Sequence, residues 1–226
     1  MRPVTALPLL LLTLSCFMGT PTEIDPDAER EVLTEIRLLS DDHPGFNALG
    51  LSLTVLATPL NQWGFPYTGG TVALEWTSSD TDVVVVAGDG RDALVTAVGN
   101  GDAFISARSG DIWEEFRVWV EQVPHQVTVT PSMAELFLDP PYHFTGSPVQ
   151  LIATVTDREG EACEAQHCAV TWSSADSELA GVTAAGVVWP RASGSTEIHA
   201  VVRRPCFDVM TCWHLEDTVS VTVSPR

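Results

Sequence analysis

Two stretches decide the fold: Leu74-Glu75-Trp76-Thr77-Ser78-Ser79-Asp80 and Val170-Thr171-Trp172-Ser173-Ser174-Ala175-Asp176. They align position for position, and their Trp residues stand 96 positions apart (172 − 76). The match extends outward. Gly101-Asp102-Ala103-Phe104-Ile105-Ser106-Ala107 corresponds to Gly194-Ser195-Thr196-Glu197-Ile198-His199-Ala200, and an upstream run containing Leu53 corresponds to one containing Leu151. Both copies close on alternating runs, Phe116, Val118 and Val120 in the first and Val219, Val221 and Val223 in the second. Successive side chains of a strand point to opposite faces, so a period of two marks a strand with one buried face. Many such short runs, with Gly and Pro between them, predict an all-β chain of sandwiches or barrels. A repeat of this length suits one small sandwich per copy. The sequence therefore predicts two tandem domains, 33–122 and 126–224, joined through Gln122-Val123-Pro124-His125. A short joint holding a Pro has little slack, so the pair is expected to be elongated and fairly stiff.

A strand bearing Trp-Ser-Ser with Asp after it, a Gly turn, a Gly-x-Ala-x-Ile-x-Ala strand and a closing Val-x-Val strand together resemble the bacterial immunoglobulin-like domains of group 2. These are modules of intimin-type and invasin-type surface proteins. The resemblance covers both copies, nearly all of the chain after residue 33. The first copy departs from the pattern at Thr77 and in a longer stretch from Val83 to Val98. The resemblance implies immunoglobulin-like sandwiches used at the cell surface as spacer or adhesive units, with no catalytic residue. In that fold Trp76 and Trp172 are core residues between the two sheets. Burying about 200 Å² of each ring at ~25 cal/mol/Å² is worth up to ~5 kcal/mol.

Met1 and Arg2 precede an apolar run from Leu7 to Leu14. It is too short to span a bilayer, which takes about 20 apolar residues. Residues 1–15 read as a secretory signal peptide. Cys16, directly after Ser15, ends a segment that resembles a bacterial lipoprotein cleavage box, which makes Cys16 the lipidation site and residues 16–32 an acidic tether. Ordinary signal cleavage after small residues such as Thr13 and Ser15 is the alternative. The expected location is the cell envelope, periplasm or outer-membrane surface, with membrane contact through the N-terminal lipid.

The 226 residues carry 30 Asp+Glu against 11 Lys+Arg, a formal net charge of -19, and every one of those cations is Arg. Nucleic acid is thereby excluded as a partner, because binding it requires clustered cations.

Cys163, Cys168, Cys206 and Cys212 all lie in the second copy. In an exported protein they read as two disulfides. Pairing Cys163 with Cys168 and Cys206 with Cys212 is favoured by proximity. Cross-loop pairs, or a zinc site with His167 and His214, are the alternatives. Trp63, Phe65 and Tyr67 in one loop, with Trp113 in the last hairpin, form a candidate binding tip for a glycan or a protein partner. Exposed rings there favour binding; buried rings favour a spacer. Asp80, Asp82, Asp89, Asp92 and Asp102 surround turns without the spacing of a calcium loop. Gly88-Asp89-Gly90-Arg91-Asp92-Ala93 fits a dinucleotide fingerprint, but no helix follows, so it reads as a hairpin. The six His show no metal spacing, and no Gly-x-Ser-x-Gly turn occurs. No enzyme, cofactor or metal is expected. The sequence points to a non-catalytic structural or adhesive module of the cell envelope or surface. The alternative is a carbohydrate-binding or calcium-dependent accessory module of an envelope complex. The partner is an envelope or surface protein or a glycan.

Overall fold

The alternation seen in the sequence becomes the pleat of the strands. In the stretch Ser52–Asn61, Val55 and Ala57 are buried and Thr54 and Leu56 are exposed; in Gly194–Arg203, Ile198, Ala200 and Val202 are buried. The structure is a computed structural model and describes residues 30–40, 45–138, 147–203 and 214–226. Among the described residues all helical or extended structure is strand.

The first half holds β1 (Leu33–Leu39), β2 (Gly45–Phe46), β3 (Ser52–Asn61), β4 (Glu75–Ser78), β5 (Val84–Asp89), β6 (Asp92–Ala97), β7 (Gly101–Ser109) and β8 (Ile112–Val120). They form two four-stranded sheets, β1-β3-β6-β5 and β2-β8-β7-β4. All pairings are antiparallel except β2 with β8. The leading segment is thus divided, with β1 on one sheet and β2 on the other. The second half holds β9 (Gln126–Thr130), β10 (Met133–Leu138), β11 (Val149–Gln150), β12 (Ile152–Thr156), β13 (Val170–Ser174), β14 (Ala180–Val182), β15 (Val187–Pro190), β16 (Gly194–Arg203) and β17 (His214–Pro225). Its large sheet is β10-β17-β16-β13, with β10 parallel to β17. Opposite it lie β12-β9 and β11-β15-β14. Leu151 interrupts what the sequence reads as one strand; it is buried, and its N–H donates to Gly186 O at 2.9 Å. Two packed sheets, with the leading segment crossing from one to the other, make each half an immunoglobulin-like sandwich.

The buried apolar residues fall into separate groups. Val55, Val84, Val95, Ile105 and Val118 pack in the first half, beside a smaller group of Ile36, Ala57 and Ala107. Leu136, Leu151, Val188, Ile198, Val202 and Val221 pack in the second. Trp76 touches both groups of the first half, and Trp172 packs on the core of the second. Both rings are half-buried and lie at the margin of their cores. The Trp76 indole rests on Gly88, where a Cβ would collide with it, and its Nε1–H donates to Gly90 O at 3.1 Å. Gly88 to Asp92 is indeed a hairpin, with Asp89 opposite Asp92.

Candidate functional site

The tip loop begins where β3 ends. Asn61 Oδ1 accepts from the N–H groups of Trp63 and Phe65, at 3.1 and 3.0 Å, and a bridge between Leu60 and Pro66 closes the turn. Asn61 Nδ2 donates to Glu31 Oε1 at 2.8 Å; Glu31 also accepts from Thr68 N–H and Thr68 Oγ1. These bonds from Asn61 and Thr68 hold the Glu31 carboxyl below its ordinary value of 4.5. The loop is therefore clamped to the segment by which the chain enters the first sandwich. Trp63 and Phe65 are 53% and 66% exposed, and Tyr67 is half-buried over Gly69. Trp113 is 57% exposed, opposite Arg108 in the β7–β8 hairpin. The strand directions bring that hairpin to the same end of the sandwich as the loop.

The opposite end carries the joint, and here the structure holds what local sequence patterns do not reveal. Gln122 and Asp157 are each 1% exposed. Gln122 pairs with Asn100 in both directions: its Oε1 accepts from Asn100 Nδ2 at 2.8 Å, and its backbone N–H donates to Asn100 Oδ1 at 2.7 Å. Its Nε2 donates to Asp157 Oδ2 at 2.9 Å and Ala162 O at 3.2 Å, both in the second sandwich. Asp157 Oδ2 also accepts from Leu49 N–H at 2.9 Å, and its Oδ1 accepts from the N–H groups of Glu159 and Glu161. Burial pushes this carboxyl up, but the bonds from Gln122, Leu49, Glu161 and Glu159 together outweigh it and hold it below 3.8. Val123 N–H donates to Asn47 O and His125 N–H to Thr156 O, so the linking residues are bonded to both sides.

Cys163 and Cys168 are joined by a disulfide, with Cα atoms 5.9 Å apart. The bridge closes a short loop beside the joint. Cys206, Cys212 and Cys16 lie outside the described residues. Among the described residues, no group of three or more His, Cys, Asp or Glu is placed to hold a metal. Asp80 instead caps a turn, accepting from Asp82 N–H at 2.9 Å, and Asp102 pairs with Arg117. His199 is bonded through Nδ1 to Glu216 Oε1 on the outer face of β16 and β17.

No protein-family model and no curated protein matches the chain. Solved structures do. Surface layer protein SbsC, domains 1–6, is 21% identical with a TM-score of 0.36; the match covers 87% of this chain and 29% of that one, under a third of its length. Human protocadherin-24 EC1-2 is 14% identical with a TM-score of 0.37, covering 86% of this chain and 100% of that one. The Yersinia pseudotuberculosis adhesin InvE is 14% identical with a TM-score of 0.44, covering 86% and 60%.

Proposed function

We propose that this chain is a non-catalytic module of the bacterial cell envelope or surface, in which two immunoglobulin-like sandwiches act as a stiff structural or adhesive unit. The observation that carries this reading is the joint. Buried Gln122 is bonded to Asn100 on one side and to Asp157 and Ala162 on the other. Hydrogen bonds to a charged group contribute about 1.5–3 kcal/mol, so the angle between the sandwiches is fixed rather than free. The acylated Cys16 holds the unit to the membrane, and the tether runs from it to the clamped tip loop. Exposed Trp63, Phe65 and Trp113 then face the membrane side, where they suit docking on an envelope protein or glycan. Fractionation of cells producing the full chain tests the anchor. The wild-type protein is expected with the membranes, its mature N-terminus an acylated Cys16. Cys16→Ala is expected in the soluble fraction. An unmodified mature peptide beginning at Cys16 or later overturns the reading.

A further inference from the structure

A recess lies at the end of the first sandwich opposite its tip, beside the joint. It has a volume of about 280 Å³ and is lined by Gly101, Asp102, Arg117, Trp119, Glu121 and His167, with Val120 at its floor. All but His167 belong to β7, β8 and the start of the joint. His167 comes from the disulfide-closed loop of the second sandwich. The recess is thus a cleft between domains, a common setting for small-molecule sites, and slightly below the ~300–1,000 Å³ usual for them.

Its central feature is the Trp119 indole, 40% exposed. Gly45 of β2 is its cross-strand partner, and a Cβ on Gly45 would collide with Cε2, Cζ2 and Nε1 of the ring. The indole therefore lies across the β2 backbone in a space that only glycine leaves open. The β2 main chain thus covers part of the ring, and Trp119 still keeps two-fifths of its surface open to solvent. An exposed aromatic face is electron-rich and attracts the weakly positive C–H bonds on the face of a sugar ring. Around it stand hydrogen-bonding groups of both kinds. Arg117 donates through Nε and Nη2 to Asp102 Oδ1, at 2.9 and 2.6 Å, which holds its guanidinium beside the indole. Asp102 and Glu121 supply carboxylate acceptors, and an imidazole both donates and accepts.

We infer that the cleft at Trp119 is a subsite for a neutral saccharide, stacked on the indole and hydrogen-bonded through its hydroxyls to Asp102, Arg117, Glu121 and His167. The charge of the site selects this class. Two carboxylates against one guanidinium disfavour phosphate or an acidic sugar. The guanidinium disfavours an ammonium ligand, which a cage of acceptors and rings alone would suit. Hydroxyl groups, being donors and acceptors together, fit the mixture. The inference goes beyond the envelope-module reading and does not need the anchor: that reading fails at Cys16, this one at Trp119.

Titration calorimetry and saturation-transfer NMR on the full chain test it, with cellotetraose, maltotetraose and N-acetylchitotetraose as probes. Tetramethylammonium and inorganic phosphate serve as comparators. At least one saccharide is expected to saturate at millimolar concentration or below. Trp119→Ala and Gly45→Ala are each expected to weaken it about tenfold or more, the second by displacing an indole that is still present. His167→Ala, in a loop away from both sheets, is expected to weaken it with the melting transition unchanged, and Trp113→Ala to leave it intact. Three outcomes overturn the inference: no saccharide binding by about 10 mM, binding of tetramethylammonium or phosphate instead, or saccharide binding that survives His167→Ala and Gly45→Ala in folded protein.

Discussion

Leu49 and Asp157 stand 108 residues apart in the chain and meet across the joint, the Leu49 N–H donating to Asp157 Oδ2 at 2.9 Å. The same oxygen accepts from the Gln122 side chain, so one carboxylate gathers the first sandwich, the linker and the second sandwich. Removing it leaves donors unpaired in a buried place, each at a cost of about 1–3 kcal/mol. Asp157→Ala is expected to loosen the angle between the sandwiches while both cores stay folded. Residual dipolar couplings measured on each half decide it: two alignment tensors that diverge from their wild-type relation are expected, and an unchanged relation contradicts the role given to Asp157.

The sign of the pH dependence follows from the direction of the shifts. Asp157 in the folded protein lies below 3.8, because its accepted bonds outweigh the opposing effect of burial, and Glu31 lies below 4.5 through its bonds to Asn61 and Thr68. A depressed carboxyl stabilises the fold above its unfolded value and loses that contribution as pH falls through the folded one. Stability is therefore expected to hold down to about pH 4.5 and to fall below it, the share owed to Glu31 being lost first and the share owed to Asp157 only once the pH drops below 3.8. Melting temperatures between pH 7 and pH 2 measure this. Asp157→Ala should flatten the steepest part; a slope identical to wild type counts against the assignment.

Trp76 bridges both buried groups of the first sandwich, and among the described residues no core residue is shared with the second. Trp76→Ala is expected to cost up to about 3 kcal/mol, less than for a fully buried ring, because the indole is only half-buried. A domain of this kind has only ~5–15 kcal/mol to lose, so the first half should unfold or melt far earlier while the second stays folded. Amide spectra report it residue by residue. Loss of dispersion in residues 147–203 together with the first half would show a single folding unit.

Much of the fold was legible because it is periodic. The repeated Trp, the Ala103, Ile105 and Ala107 face and the closing Val runs all obey the alternation of a pleated strand, and the Gly88-Asp89-Gly90 stretch read correctly as a hairpin once no helix followed. The leading segment was harder. β1 carries a register shift between Leu33 and Glu35 and buries only Ile36 fully, so its period is weak. In β10, Ala134 and Leu136 do alternate with Glu135 and Phe137, but nothing in that pattern says that the partner is β17, running parallel. The joint was illegible for another reason. A Gln in a short linker looks solvated, and the bond that buries it belongs to a carboxylate 35 residues away. Gly45 is similar: its lack of a side chain acquires meaning only when Trp119 lies over it.

The parallel pairing of each sandwich's leading segment with its last strand has a mechanical consequence. Tension applied between the N-terminal and C-terminal sides of a sandwich drags such a pair along its own length, so its bonds share the load and do not open one by one. The second sandwich resists with six residue pairs, Met133–Leu138 against Ser220–Pro225, and the first with two, Gly45–Phe46 against Trp119–Val120. Under pulling, the first sandwich is expected to yield first and lengthen as a fuse, with the second one intact. Single-molecule force spectra, with the two unfolding lengths assigned by a cysteine crosslink in either half, read that order directly.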